Sequence, residues 1–170
     1  MSTPAFMTIE GTQQGLITKG ALTQDSIGSA WQETHKDKIQ VQAISHAIVA
    51  SAGASTGSVR RMHKPLIITK ALDKSSPLLN NAVCTGEPLK ECRLEMYRSN
   101  STGILELFYT IDLKDAVITG MDLIMPHCQD PASASYTQFE RVHFAYKCIS
   151  WKHEVGQTIG LDVWSGTEPS

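Results

Sequence analysis

Six histidines, four cysteines and a scatter of serines and carboxylates are the side chains of this 170-residue chain that could hold a metal, relay a proton or attack a carbonyl. A zinc or redox site calls for ligands at short spacing, such as Cys-x-x-Cys or a His-x-x-x-His pair on one helix face. Cys84, Cys92, Cys128 and Cys148 are too dispersed for the first, and no two histidines make the second. The densest donor run is His127-Cys128-Gln129-Asp130. A metal there would need a further ligand from elsewhere, so a structured turn after a strand accounts for it better. Ser-His-Asp chemistry can assemble from distant positions, yet a nucleophile elbow must also sit on a sharp strand-to-helix turn. Gly53-Ala54-Ser55-Thr56-Gly57 lies instead in a run of small residues with linker chemistry, and it lacks the Gly-Lys-Ser/Thr ending of a phosphate loop. Asn100-Ser101-Thr102 matches a glycosylation acceptor and is explained better by a hairpin turn, and His63 ahead of Lys64-Pro65 reads as the start of a strand. The expectation is no catalytic, cofactor or metal site, with the cysteines as buried thiols.

The bulk composition narrows the class. One domain suits this length, and a domain of about this size buries roughly 68–70% of the surface of its unfolded chain. Hydrophobic residues at 41% and charged residues at 19% describe a soluble globular domain. A formal charge of -2 from interspersed acids and bases supplies no cationic field for nucleic-acid phosphates or anionic lipid. The first residues, Met1 to Glu10, lack a basic start followed by an apolar stretch, and no apolar run is long enough for a membrane helix. Synthesis in the cytoplasm without a Sec-type address, and no membrane insertion, are therefore expected.

The elements that would position any site are mostly strands. Cys92, Leu94 and Met96 alternate with Glu91, Arg93 and Glu95, which puts the apolar set on one face of a strand and would scramble around a helix. Leu105, Leu107, Tyr109, Ile111 and Leu113 repeat the pattern, as do Val142, Phe144, Tyr146 and Cys148, and all are assigned to core faces. Turn signals at Ser99 to Gly103, Lys114-Asp115 and Pro126 to Ser135 imply antiparallel hairpins. Further strands are expected at Ala5 to Glu10, Gly15 to Thr18, Ile39 to Val49 and Lys64 to Ala71. One segment breaks the period: Ser76 as acceptor of an N-terminal amide bond, Pro77 at the first helical position and Gly86 as a left-handed stop bound a single short helix, with Leu78, Leu79, Ala82 and Val83 as its stripe. The fold class is all-β with one helix, two antiparallel sheets forming a compact β-barrel or sandwich. The domain runs over residues 1–155 and is followed by a tail at 156–170.

Two stretches are underemployed in such a core. The small-residue run Ser51 to Ser58 reads as a hairpin tip. The loop from Gly20 to Lys38 is longer than an ordinary connection and carries Ile27 and Trp31 among polar residues, as interface loops do. The strand Ile39 to Val49 has apolar residues on both faces, so one face is expected to meet a neighbour or a lumen.

At Ala71 to Glu87 the chain resembles the single-helix signature of the haemolysin-coregulated protein (Hcp) family, the tube subunit of type VI secretion. The likeness continues in order through Pro4 to Gly11, Leu22 to Gly28, His63-Lys64-Pro65, Met125 to Pro131 and Tyr146 to His153. The resemblance implies a hexameric ring, stacking of rings into an inner tube, and expulsion by sheath contraction beneath a spike, which needs no signal peptide. Small effector proteins would ride in the lumen. On this reading Leu22, Asp25, Ile27, Trp31, Lys36 and Lys38 belong to a loop reaching the adjacent subunit or ring, and Gln42, Ser45 and His46 to a lumen or interface strand. Lys36-Asp37-Lys38 departs from the family by being more basic. A fused effector enzyme is not expected, since the stretch after Trp151 is far shorter than a domain. The alternative is a monomeric ligand-binding β-barrel.

Overall fold

The computed structural model describes residues 3–51 and 60–164. In chain order the elements are β1 (Ala5–Gly11), β2 (Gly15–Leu16), α1 (Gln24–Ile27), β3 (Ile39–Val41), β4 (Ala43–Ser45), β5 (Ile48–Ser51), β6 (Arg60–His63), β7 (Leu66–Ala71), α2 (Ser76–Thr85), β8 (Leu89–Ser99), β9 (Leu105–Lys114), β10 (Val117–Ile124), β11 (Phe139–Ala145), β12 (Cys148–His153) and β13 (Thr158–Val163). They form three antiparallel sheets: a large one in the order β13-β12-β9-β8-β1-β2, with β3 also paired to β1; a second in the order β10-β11-β7-β4; and a ribbon of β5 and β6. The mostly-β class with antiparallel pairing stands. Three details differ from the sequence expectation. The sheets remain separate ladders that do not close into a barrel, the ribbon is a third sheet, and α1 adds a second short helix. Most of the small-residue run read as a hairpin tip, residues 52–58 with its Gly-x-Ser-x-Gly spacing, lies outside the described residues.

Alternation sets the core. Met7 and Ile9 from β1 and Cys92 and Leu94 from β8 face Leu66 and Ile68 from β7 and Val142 and Phe144 from β11, all buried in one cluster. The strand predicted over Ile39 to Val49 is in fact three strands in three sheets, because the chain changes partner at Gln42 and again at His46. β9 also departs from its pattern. A register shift against β8 between Met96 and Tyr97 reverses the facing of the strand end, so that Leu105, assigned to the core, is 54% exposed. The stretch set apart as a tail supplies β13, which pairs along its length with β12.

Helix α2 closes the core with Leu79 and Ala82, starts with Pro77 in its first turn and ends at Gly86 with φ 67 and ψ 32, the left-handed stop. Ser76 does not cap it. Its hydroxyl accepts from the Asp73 amide at 3.0 Å and from Lys70 Nζ at 3.1 Å, and donates to Glu140 Oε1 at 2.6 Å. Lys70, fully buried, also pairs directly with Glu140 on β11 and reaches Asp73 Oδ1 at 3.1 Å. Asp73 in turn accepts from the Ser75 amide at 2.9 Å and from the Ser75 hydroxyl. Every charge in this network has left water and is compensated only by its partners. Lys70→Met is therefore expected to cost about 3–5 kcal/mol, since it strands two buried carboxylates. The drop in urea midpoint checks this, and a loss under about 1 kcal/mol, the range of exposed pairs, would show that the charges are solvated.

Candidate functional site

The loop over residues 22–38 lies on the outer face of β1. His35 stacks on Phe6 with ring centroids 3.9 Å apart and meets Tyr97 edge-on at 5.3 Å, which is why Phe6 is buried although it points away from the main core. Leu22 is fully buried, and its amide and carbonyl bond the Lys36 carbonyl and Gln32 amide, each at 3.0 Å. Asp37 accepts from the Gly20 amide at 2.9 Å, and Lys38 pairs with Glu95 at 2.6 Å. So Leu22 and Lys38, both read from sequence as reaching a neighbour, are engaged within their own chain. Ile27 is half-buried. Asp25, Lys36 and the 47%-exposed Trp31 are left facing solvent.

Of the strand residues, Gln42 and Ser45 are exposed, while His46 turns inward. Its Nε2 lies 2.6 Å from the Tyr146 hydroxyl, which also lies 2.7 Å from His63 Nδ1. His63 Nε2 is 2.6 Å from Asp162 Oδ2, and Arg61 donates to the same oxygen at 2.7 Å and to the Val163 carbonyl at 2.9 Å. Trp164 stacks on the His63 ring at 5.3 Å. This relay joins the β4–β5 link, the ribbon, the β11–β12 link and β13. Sequence reasoning missed it, because its members come from four distant segments. The single trace was a tyrosine in phase with Val142 and Phe144.

The proton order follows from the acceptors. Asp162 is held below the usual carboxylate range by the Arg61 hydrogen bond, with His63 adding to it against the opposing effect of burial. The ionised carboxylate can only accept, so His63 turns an Nε2–H toward it, and in the neutral tautomer with that proton Nδ1 is an acceptor. Tyr146 then donates to Nδ1 and accepts from His46 Nε2–H. Burial, then the Asp162 charge, pushes the Tyr146 phenol up to about 12. Although Asp162, His63 and a hydroxyl stand in the sequence of a catalytic triad, this hydroxyl is held protonated and positions two imidazoles.

Beside the relay, Val49, Ser51, Arg60, Arg61, Met62, Lys64 and Trp164 line a groove of about 400 Å³ that brings apolar and cationic side chains together. Ile159, Leu161 and Val163 project from β13 on the face away from Asp162, at 72%, 64% and 62% exposed. His127 to Asp130 folds as the expected turn, with the Asp130 carboxylate accepting from the Ala132 amide at 2.9 Å. The cysteines are corrected in part. Cys92 is buried, and burial raises its thiol; Cys148 is half-buried; Cys84, on the solvent side of α2, and Cys128, in the turn, are exposed.

Two histidines sit below their ordinary value. Burial is the first cause for both, followed by Lys38 at His35, which Glu95 partly offsets, and by His63 at His46. With the folded pKa depressed, the unfolded chain takes up protons first on acidification. The contribution of these two imidazoles to stability is then flat above about pH 6.5, the unfolded value, and falls below it. His35 Nδ1 is moreover buried without a hydrogen-bond partner among the described residues. His35→Phe keeps the stack and removes the titration. Its urea midpoint is expected to fall less than that of the parent between about pH 7 and about pH 5, and an equal fall in both would remove His35 from the account.

Comparison with known proteins matches this architecture closely. The family model "Type VI secretion system effector, Hcp" matches residues 6–153. The "Major exported protein" of Pseudomonas aeruginosa is 46% identical over 168 residues, 96% of each chain. Among solved structures, "Crystal structure of Hcp protein" is 39% identical with a TM-score of 0.89, over 96% of this chain and 98% of that one. "Secreted protein Hcp3 from Pseudomonas aeruginosa" is 42% identical with a TM-score of 0.83, over 96% of this chain and 99% of that one. A family model covering most of the chain, with relatives of this identity over nearly their whole length, makes the chain a member of the Hcp family of type VI secretion.

Proposed function

We propose that this chain is a structural subunit of the type VI secretion inner tube. Copies close head to tail into hexameric rings, and rings stack into a tube that sheath contraction expels beneath the spike. The lumen carries small effector proteins. The subunit is made in the cytoplasm and leaves through the machine. Family membership across residues 6–153 carries the reading, and the surface supports it. A head-to-tail ring needs two different complementary faces on each subunit. The groove beside the relay and the β13 face with Ile159, Leu161 and Val163 each expose several apolar side chains together, and Trp31 adds one exposed aromatic ring. In this frame Asp25, Ile27, Trp31 and Lys36 form the part of the loop free to touch a neighbour, and Gln42 and Ser45 remain candidates for a lumen or interface face. Leu22, Lys38 and His46 act indirectly, by holding those surfaces in place.

The rival, a monomeric ligand-binding barrel, needs a lumen of its own. The space between the two larger sheets is filled by Met7, Ile9, Leu66, Phe144 and Leu79.

Sedimentation velocity at micromolar concentration with negative-stain images tests the proposal. Discrete rings are expected, and a monomer at every concentration overturns it. Trp31→Ala is expected to raise the concentration needed for assembly about tenfold or more, the effect of losing an aromatic anchor, while the melting temperature moves by only about 2 °C. Equal losses in both would place Trp31 in the fold of the single subunit.

A further inference from the structure

We infer that the His46–Tyr146–His63–Asp162 relay is a proton-operated catch for the β5–β6 ribbon, so that acidification frees the ribbon from the body and weakens the association of copies. The catch itself rests on geometry within one subunit; its effect on association rests on the tube reading.

Among the described residues β5 and β6 pair only with one another. What ties them to the body is the relay, with His46 just before β5, His63 at the end of β6, and both imidazoles meeting on one phenol. The second tie runs from His63 and Arg61 to Asp162 on β13. The ties through His46, His63, Tyr146 and Asp162 all run through titratable side chains, and they are joined by the Arg61 hydrogen bond to the Val163 carbonyl and by the stack of Trp164 on His63.

With both histidines neutral, the proton count is complete. His46 Nε2–H donates to the tyrosine oxygen, the tyrosine O–H donates to His63 Nδ1, and His63 Nε2–H donates to Asp162. One added proton is tolerated. If it lands on His63 Nδ1, the tyrosine reverses and donates to a His46 that has moved its own proton to Nδ1. A second proton is not tolerated, because both imidazolium nitrogens then point N–H groups at the same oxygen and the tyrosine proton loses its acceptor within the relay. Two positive rings also stand 6.5 Å apart by centroid in a partly dehydrated setting.

The surrounding charges act in the same direction. Arg61 on β6 bonds the carboxylate, and Arg60 and Lys64 line the adjoining groove; Asp162 on β13 is the anion that faces the relay. The Asp162 carboxylate is already shared between His63 and Arg61. The second proton, on His46, meets a cationic neighbourhood. Burial and the proximity of His63 hold His46 below the ordinary imidazole value. The transition therefore lies on the acid side of neutrality, and the closed catch is the neutral-pH form.

The experiment is amide hydrogen exchange of the full chain at about pH 7.5 and about pH 5, corrected for intrinsic rates, with the ring fraction measured in parallel by sedimentation. Exchange at residues 48–51 and 60–63 is read relative to the core strand β8, so that global unfolding cancels. In the parent the relative ribbon rate is expected to rise about tenfold on acidification, one pKa unit's worth of coupling, together with a loss of rings. His46→Gln supplies a donor to the tyrosine oxygen that cannot titrate, and is expected to remove the acceleration. Tyr146→Phe cuts both bonds and is expected to leave the ribbon fast at both pH values; should it fail to fold, the glutamine variant still decides. His143→Gln, which removes a pair with Asp122 elsewhere on the surface, is expected to behave as the parent. A relative ribbon rate that does not change with pH in the parent, or that rises equally in His46→Gln, overturns the catch. Rings absent at both pH values overturn the tube reading and leave the exchange result to judge the catch. Rings that persist while the ribbon loosens overturn its link to assembly.

Discussion

The ammonium group of Lys70, fully removed from water, sits where the second sheet, its neighbouring strand and the helix that closes the core all meet. It bridges β7 to Glu140 on β11 and to Asp73 and Ser76 at the start of α2. Such a group adds little net stability compared with a well-packed apolar side chain, because desolvation offsets most of the attraction. What it adds is discrimination. Lys70 lies opposite Glu140 in the β7–β11 register, and a slip of one residue would put the two side chains on opposite faces of the sheet. The helix is placed by the same contact, since its first turn begins on the serine that completes the network.

With that sheet fixed, the segment from Ile39 to Ser51 has little freedom. It must pair with β1 in the large sheet, cross to β7 in the second, and emerge as β5 of the ribbon within a dozen or so residues. Each sheet change leaves a residue outside the ladders. At the first, Gln42 donates its amide to the Thr69 carbonyl at 2.7 Å and leaves its side chain in solvent. At the second, His46 swings in to Tyr146. The ribbon therefore leaves the body at a point set by core packing, with its orientation decided by hydrogen bonds instead of by buried apolar area.

This division explains what the amino-acid order made legible. Alternation over Glu91 to Met96 and the bounded run Ser76 to Gly86 are local signals, set by backbone geometry and by glycine and proline, and both elements form where they were placed. The alternation over Ile39 to Val49 is equally regular and misleading, since a period of two identifies extended chain without saying which partner it pairs with. The β9 register shift that exposes Leu105 has no local signature either. The loop shows the same limit. Leu22 and Trp31 look alike as apolar residues in a polar stretch, and only the closing bonds from Gln32 and Lys36 put one inside and the other out. The relay was the least legible feature, because His46, His63, Tyr146 and Asp162 converge only after three sheets have been assembled.

The outer face of β13 follows from the same physics and points the other way. An edge strand with three large aliphatic residues in a row is a template for unwanted pairing, and a protein that works alone blunts such an edge with charge, proline or cover. Here Ile159, Leu161 and Val163 alternate with Thr158, Gly160 and Asp162, and the one carboxylate among them is turned inward, committed to Arg61 and His63. Turned outward, Asp162 would protect the edge and leave the ribbon unanchored. Held inward, it fixes the ribbon and leaves the edge apolar. The fold thus commits its edge charge to orienting a surface element, and the outer face of β13 is left apolar as a consequence.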